Sequence, residues 1–214
     1  MQYTFHPTCQ LDPVVLDRIF QETFGCKTDG VFVECGAYDG KSYSNTWGLA
    51  RCGWRGLYIE PDPDNCALCS KEHGDGYPRI GLAMCAVGDH NATDVPLFQA
   101  GWGSALSKNA YMEVSKEITT TLRTLDYLLP RWQIEPGFDL LVIDVEFHES
   151  DVLKGFTLEE WKPKLVIIEL HEENRFGWTT ELSKPHAEFA NKYFAEKYDK
   201  LYFDHINTIF RRKP

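Results

Sequence analysis

Phe138–Asp144 (FDLLVID) and Lys164–Leu170 (KLVIIEL) each hold an apolar run that polar residues do not alternate through. A strand with one wet face alternates with a period of two. An unbroken run therefore marks a strand covered on both faces, which is the habit of parallel sheets sandwiched between helices. Val31–Cys35 and Gly56–Glu60 repeat the pattern, and the segments between the runs read as helices. Leu11–Phe24 places Val14, Val15, Ile19 and Phe24 near helical spacing behind Asp12-Pro13, a cap and first-turn proline. Ser44–Cys52, Asp64–His73, Leu125–Trp132, Glu149–Gly155 and Pro185–Lys197 are the other predicted helices. Gly81–Ala86 and Glu117–Thr121 are short strands, Asp94–Gln99 an added edge strand, and Leu201–Asp204 with Thr208–Arg211 a closing hairpin. This order describes an α/β fold, a mostly parallel open sheet ending in an antiparallel hairpin. Residues 1–29 read as an N-terminal helical extension and 30–214 as the single domain that carries the sheet.

A net charge of −10 repels phosphate backbones, so no nucleic-acid partner is expected; the Arg211-Arg212-Lys213 end is too short a patch to reverse that. Seven cysteines, none beyond Cys85, do not make a disulfide framework and fit reduced thiols in a cytoplasmic setting. Cys66-Ala-Leu-Cys69 with His73 lacks the further ligand pair of a structural zinc site, and is better read as two buried thiols on a helix face. No signal peptide or membrane-length apolar stretch is visible, so the sequon Asn91-Ala-Thr93 carries no weight. Oligomeric state is left open.

In open α/β sheets ligands sit beyond the carboxyl ends of the strands, where strand order reverses. The first strand runs into the turn Gly36-Ala-Tyr-Asp-Gly40, followed by Lys41-Ser42. A Walker loop needs four residues between its glycines, and here there are three. A dinucleotide turn needs glycines where Tyr38 and Lys41 stand. Glu34 and Asp39 would moreover repel a pyrophosphate. A cationic, phosphate-free ligand such as S-adenosyl-L-methionine suits the turn better than NAD, with Glu60 at the end of the second strand reaching ribose hydroxyls.

From Gly30 to Glu172 the ordered motifs resemble the FkbM-like family of S-adenosylmethionine-dependent methyltransferases. They are VFVECGAYDG, then Ser44-Asn45-Thr46, Gly53-Trp-Arg-Gly56, Ile59-Glu60-Pro61, Cys85-Ala-Val-Gly-Asp89, Leu125-Asp126-Tyr-Leu-Leu129, the segment FDLLVIDVEFHESDVLKGF and KLVIIELHE. The resemblance implies a Rossmann-like class I methyltransferase sheet and S-adenosyl-L-methionine as cofactor. It puts Glu34, Gly36, Ala37, Tyr38, Asp39, Ser44, Asn45, Glu60, Pro61, Ala86, Val87 and Asp144 around that cofactor, with Ala86 and Val87 near the adenine. The acceptor it implies is a hydroxyl on a small molecule or carbohydrate. Two positions depart from the family pattern: Tyr38 replaces an asparagine and Phe147 a glycine. The second bears on the acceptor pocket. An NAD oxidoreductase and a binding protein without catalysis are the rival readings.

Methyl transfer to a hydroxyl needs a base within hydrogen-bond reach of the proton. His148, just past the central strand, is the candidate, with Glu146 or Asp144 orienting it or the substrate. His171 shares the rim, and Asp144, Glu146, His148, Glu169 and His171 are also donors that a divalent cation accepts, although the reaction as read needs none. Gly101-Trp-Gly-Ser-Ala105 and Phe176-Gly-Trp178 are glycine-flanked aromatics that either stack on an acceptor or, the preferred reading, pack their loops down.

Overall fold

The computed structural model describes residues 3–74, 79–108, 112–172 and 183–214. In chain order the elements are α1 (Pro13–Phe24), β1 (Val31–Cys35), α2 (Trp47–Arg51), β2 (Arg55–Glu60), α3 (Pro63–His73) and β3 (Ile80–Met84). Then come β4 (Ala86–Val87), β5 (Ala92–Gln99), β6 (Lys116–Arg123), α4 (Leu125–Arg131), β7 (Leu140–Ile143) and α5 (Glu149–Lys154). The chain closes with α6 (Leu158–Trp161), β8 (Leu165–Glu169), α7 (Ser183–Phe194), β9 (Tyr198–Phe203) and β10 (Asn207–Arg212).

Seven strands form one sheet in the order β3-β2-β1-β7-β8-β10-β9. The pairs from β3 to β8 are parallel, and β10 runs antiparallel to both its neighbours. The chain moves outward from β1 to β3 and then returns to lay β7 on the other side of β1. That reversal fixes the switch point at the carboxyl ends of β1 and β7.

Alternate residues of the central strands feed two separate cores, as unbroken apolar runs demand. Val33, Leu141 and Val166 pack with α4 to α7 on one face; Phe32, Leu140, Val142 and Ile167 pack with α1 and α2 on the other. The extension expected at the N-terminus thus forms part of a layer. Asp12 caps α1 by accepting from Val14 N and Val15 N, and Leu16, Ile19 and Phe20 are buried against the sheet. Each such side chain contributes about 1.5–3 kcal/mol of burial.

Asp94–Gln99 is not an edge strand of the main sheet. It belongs to β5, which pairs with β6 in a second sheet of order β4-β6-β5 inserted between β3 and β7. The helix expected at Ser44–Cys52 begins only at Trp47, because the hydroxyls of Ser44 and Thr46 turn inward to the buried carboxylate of Glu34. Cys66 and Cys69 are buried on α3. Asp126 accepts from Thr157 N, Thr157 Oγ1 and Trp161 Nε1, which ties α4 to α6. Among the described residues no helix is long and apolar enough to cross a membrane.

Candidate active site

A cavity of ≈ 820 Å³ opens over the carboxyl ends of β1, β2, β7 and β8. It lies within the size range of small-molecule and cofactor sites, roughly 300–1,000 Å³. Its floor is the turn after β1. Gly36 has φ +80°, and its N–H and that of Ala37 both donate to Ile59 O. Gly40 is also left-handed, and His73 of α3 binds its carbonyl oxygen through Nε2 at 2.6 Å. Burial holds His73 below the ordinary histidine range, so the neutral ring serves as a clasp on the turn.

Two buried glutamates flank this floor. Glu34 accepts from Ser44 Oγ at 2.9 Å, Thr46 Oγ1 at 2.6 Å and Asn45 N at 3.4 Å. Glu60 accepts from Tyr38 N at 2.8 Å, Asp62 N at 3.0 Å and Asn65 Nδ2 at 3.3 Å. Burial pushes both carboxyls up to about 7. A carboxylate has about four lone-pair sites, so Glu60 keeps one for a ligand hydroxyl. Pro61, Ala86 and Val87 continue the lining beside it, with Ala37, Tyr38, Ser44 and Asn45 on the near side. Asp39 is different: it does not line the cavity. Its carboxylate is taken up by Lys41 N, Ser42 N and Ser42 Oγ, so it shapes the turn from behind.

Asp144, Glu146 and Glu169 meet at the ends of β7 and β8, each with a carboxylate oxygen within 4.8 Å of the others. Burial raises all three, and Asp144 raises the other two further by its charge. A hydrogen bond between Glu169 and Asp144 raises the first carboxyl and lowers the second. Gln10 donates to Asp144 Oδ2 at 2.9 Å. His171 Nε2 lies 3.3 Å from Glu169 Oε1, and its ring stacks on Phe147 with centroids 5.7 Å apart. These oxygens are where a divalent cation would find ligands. Glu146 and Phe147 both adopt positive φ, +55° and +69°. Glu149 Oε1 holds that turn by accepting from Val145 N and Phe147 N.

His148 also lines the cavity, but neither Asp144 nor Glu146 orients it. Its Nδ1 faces Asp151 Oδ2 at 3.3 Å, and its Nε2 meets Ser107 Oγ at 2.9 Å. Across the mouth stand Trp102 and Tyr43, ring centroids 6.4 Å apart. Trp102 is 65 % exposed, so it is not packing its loop down. That work falls to Asn65, which donates to Gly101 O, and to Ser104, which donates to Asp62. Phe176-Gly-Trp178 lies outside the described residues.

Residues 34–213 match the methyltransferase FkbM domain. The chain belongs to the FkbM methyltransferase family. No curated protein matches it in sequence. Among solved structures it is similar to an O-methyltransferase from Bacillus cereus in complex with SAH (S-adenosylhomocysteine), with a TM-score of 0.52 and 15 % identity, covering 96 % of this chain and 84 % of that one. A putative O-methyltransferase from Klebsiella pneumoniae superposes with a TM-score of 0.56 and 13 % identity, covering 98 % and 84 %. An SAH-bound methyltransferase from Podospora anserina gives 0.53 and 14 %, covering 94 % and 75 %. At such identities the likeness is one of fold.

In this FkbM-family chain the donor set fits a sulfonium nucleoside. Among the described lining residues there is no lysine or arginine to hold a pyrophosphate, while buried carboxyls surround the floor. Three residues that meet in the site escaped sequence reasoning. Gln10 lies before the matched region, Ser107 carries no motif, and Asp151, inside FDLLVIDVEFHESDVLKGF, stands beyond that segment's pattern residues.

Proposed function

We propose that this FkbM-family methyltransferase uses S-adenosyl-L-methionine to methylate a hydroxyl of a small-molecule or carbohydrate acceptor. The observation that carries the reading is the joining of one cavity from two halves. Glu34, Glu60 and the Gly36 turn form one side, and His148 with the Asp144 cluster the other. Bound there, the cofactor supplies a methyl group on a sulfonium, a good leaving group for in-line displacement.

The chain's own residues do the rest. Glu60 accepts a ribose hydroxyl, and Ala86 and Val87 give the base an apolar wall. Glu34 keeps the Ser44–Thr46 segment folded around the turn. Phe147, Trp102 and Tyr43 confine the acceptor and exclude water. His148 accepts the hydroxyl proton through Nε2 as the oxygen attacks, worth about 10²–10⁴ in rate for a well-placed base. The catalytic unit is residues 30–214, with the preceding segment lending Gln10. Seven unpaired thiols support a cytoplasmic setting.

A thermal-shift panel tests the cofactor: stabilisation by S-adenosylhomocysteine but not NADH is expected, and the reverse result would return the chain to the oxidoreductases. Methylation of a hydroxyl-acceptor library with labelled cofactor tests the acceptor. Turnover should survive EDTA; loss restored by Mg²⁺ would assign the Asp144 cluster to a cation instead.

A further inference from the structure

We propose that Asp151 is a positioning residue that holds the proton of His148 on Nδ1, so that Nε2 presents its lone pair to the acceptor hydroxyl. The inference rests on the reading of His148 as the base. A neutral imidazole carries one proton, and the hydrogen bond made by one ring nitrogen decides which nitrogen keeps it. Here Nδ1 lies 3.3 Å from Asp151 Oδ2, a carboxylate oxygen that can only accept. Nε2 must then be the acceptor in its contact with Ser107 Oγ, whose O–H donates across 2.9 Å.

Asp151 is suited to this because it stays charged. Partial burial alone would raise its carboxyl, but hydrogen bonds from Lys154 and His148 outweigh that and hold it below the ordinary range. Lys154 Nζ takes Oδ1 at 2.7 Å, which leaves Oδ2 to the imidazole. The spacing is helical: Asp151 and Lys154 are neighbours on α5, and His148 is its N-cap residue. On the far side Ser150 N donates to His186 Nδ1 at 3.3 Å, which anchors the start of α5 to α7. The ring is therefore fixed from the helix side, while Nε2 is met by Ser107 Oγ.

Ser107 is the second observation. Its hydroxyl already sits where a proton donor to Nε2 must sit, which shows that an alcohol oxygen fits that position. The acceptor oxygen takes the same place when Ser107 withdraws. No atoms are exchanged with Ser107; the proton reaching Nε2 would come from the acceptor hydroxyl, whose oxygen would bond the methyl carbon as that carbon's bond to the sulfonium sulfur breaks and its electron pair leaves with the sulfur as a neutral thioether.

The test is ¹⁵N-edited NMR of the histidine rings in the full chain without ligands, at a pH where His148 is neutral. In the wild type the Nδ1 resonance should be of the protonated type and Nε2 of the bare type. Asp151→Ala should reverse or mix the two, while binding of S-adenosylhomocysteine by calorimetry stays within twofold. Wild-type His148 with its proton on Nε2, or an Asp151→Ala variant that keeps it on Nδ1, would overturn the proposal. Once an acceptor is in hand, Asp151→Ala should lower kcat about tenfold with KM within twofold. Failure of the wild type to bind S-adenosylhomocysteine is a separate result, which removes the methyltransferase reading and leaves the tautomer measurement intact.

Discussion

The backbone carbonyl oxygen of Asp144 lies 1.6 Å from the point where a Cβ on Gly36 would stand. The first turn and the central strand are therefore in van der Waals contact through a hydrogen atom, and no side chain can come between them. Gly36 is also at φ +80°, which costs an L residue about 1–2 kcal/mol before any clash. Gly36→Ala should thus destabilise the fold by about 3 kcal/mol or more, a drop in Tm of roughly 6–12 °C. Thermal melts decide it: a variant within 2 °C of wild type would mean that the β1–β7 contact can open.

Glu60 tests the cofactor side with little change of shape. Glu60→Gln keeps the side chain's length but loses the charge that strengthens a bond to a ribose hydroxyl, and its amide nitrogen replaces one of the two oxygens that accept from Tyr38 N, Asp62 N and Asn65 Nδ2. Hydrogen bonds to charged groups are worth about 1.5–3 kcal/mol, so S-adenosylhomocysteine should bind roughly tenfold to a hundredfold more weakly. Calorimetry that finds an unchanged Kd would move the ribose elsewhere in the cavity.

His148→Gln separates binding from chemistry. Turnover should fall about 10²–10⁴-fold while the affinity for S-adenosylhomocysteine holds. Full activity in this variant would pass the role of base to another group, with His171 the nearest candidate on the same rim.

What the sequence could and could not disclose follows from distance along the chain. The strands were legible because burial on both faces writes itself as an unbroken run, and the turn because its glycines and carboxylates are consecutive. Glu34 and Glu60 were legible from their places at strand ends. Gln10 was not, since it meets Asp144 only through the fold, 134 residues away. Ser107 sits 41 residues from His148, in a segment with no periodicity to place it. Local competition hid other details. Asp39 looked like a ligand but spends its carboxylate on the two residues that follow the turn, and the start of α2 was lost to Glu34.

The buried carboxyls give a pH dependence with a definite sign. Burial raises Glu34 and Glu60 from the ordinary value of 4.5 to about 7, and Glu149 to about 8. Between those values the folded chain holds protons that the unfolded chain has released, so the folded state is favoured at the acid end of the window. Burial holds His73, His171 and His186 below the ordinary 6.5, and they act with the opposite sign up to that value, so stability should fall as pH rises from about 6.5 to 8. Asp139, Asp151 and Glu72 are held low and act below this window, where their loss would destabilise. Glu34→Gln should flatten the slope. A Tm that climbs steadily from about pH 6.5 to 8 would contradict the account.

Phe147 stands at φ +69°, a conformation that glycine adopts freely and that the family pattern fills with glycine. Phe147→Gly should recover about 1–2 kcal/mol of backbone strain. Against this, the stack on His171 is worth about 0.5–1.5 kcal/mol, and a new glycine adds freedom to the unfolded chain. The terms nearly cancel, so Tm should move by less than about 3 °C. The cavity, however, gains the volume of a phenyl ring beside His148 and His171. Acceptors too bulky for the wild type should then be methylated, with S-adenosylhomocysteine affinity unchanged. A labelled-cofactor screen of graded acceptors compares the two proteins directly. An unaltered acceptor range would show that Phe147 acts on the backbone turn alone and does not set the size of the pocket.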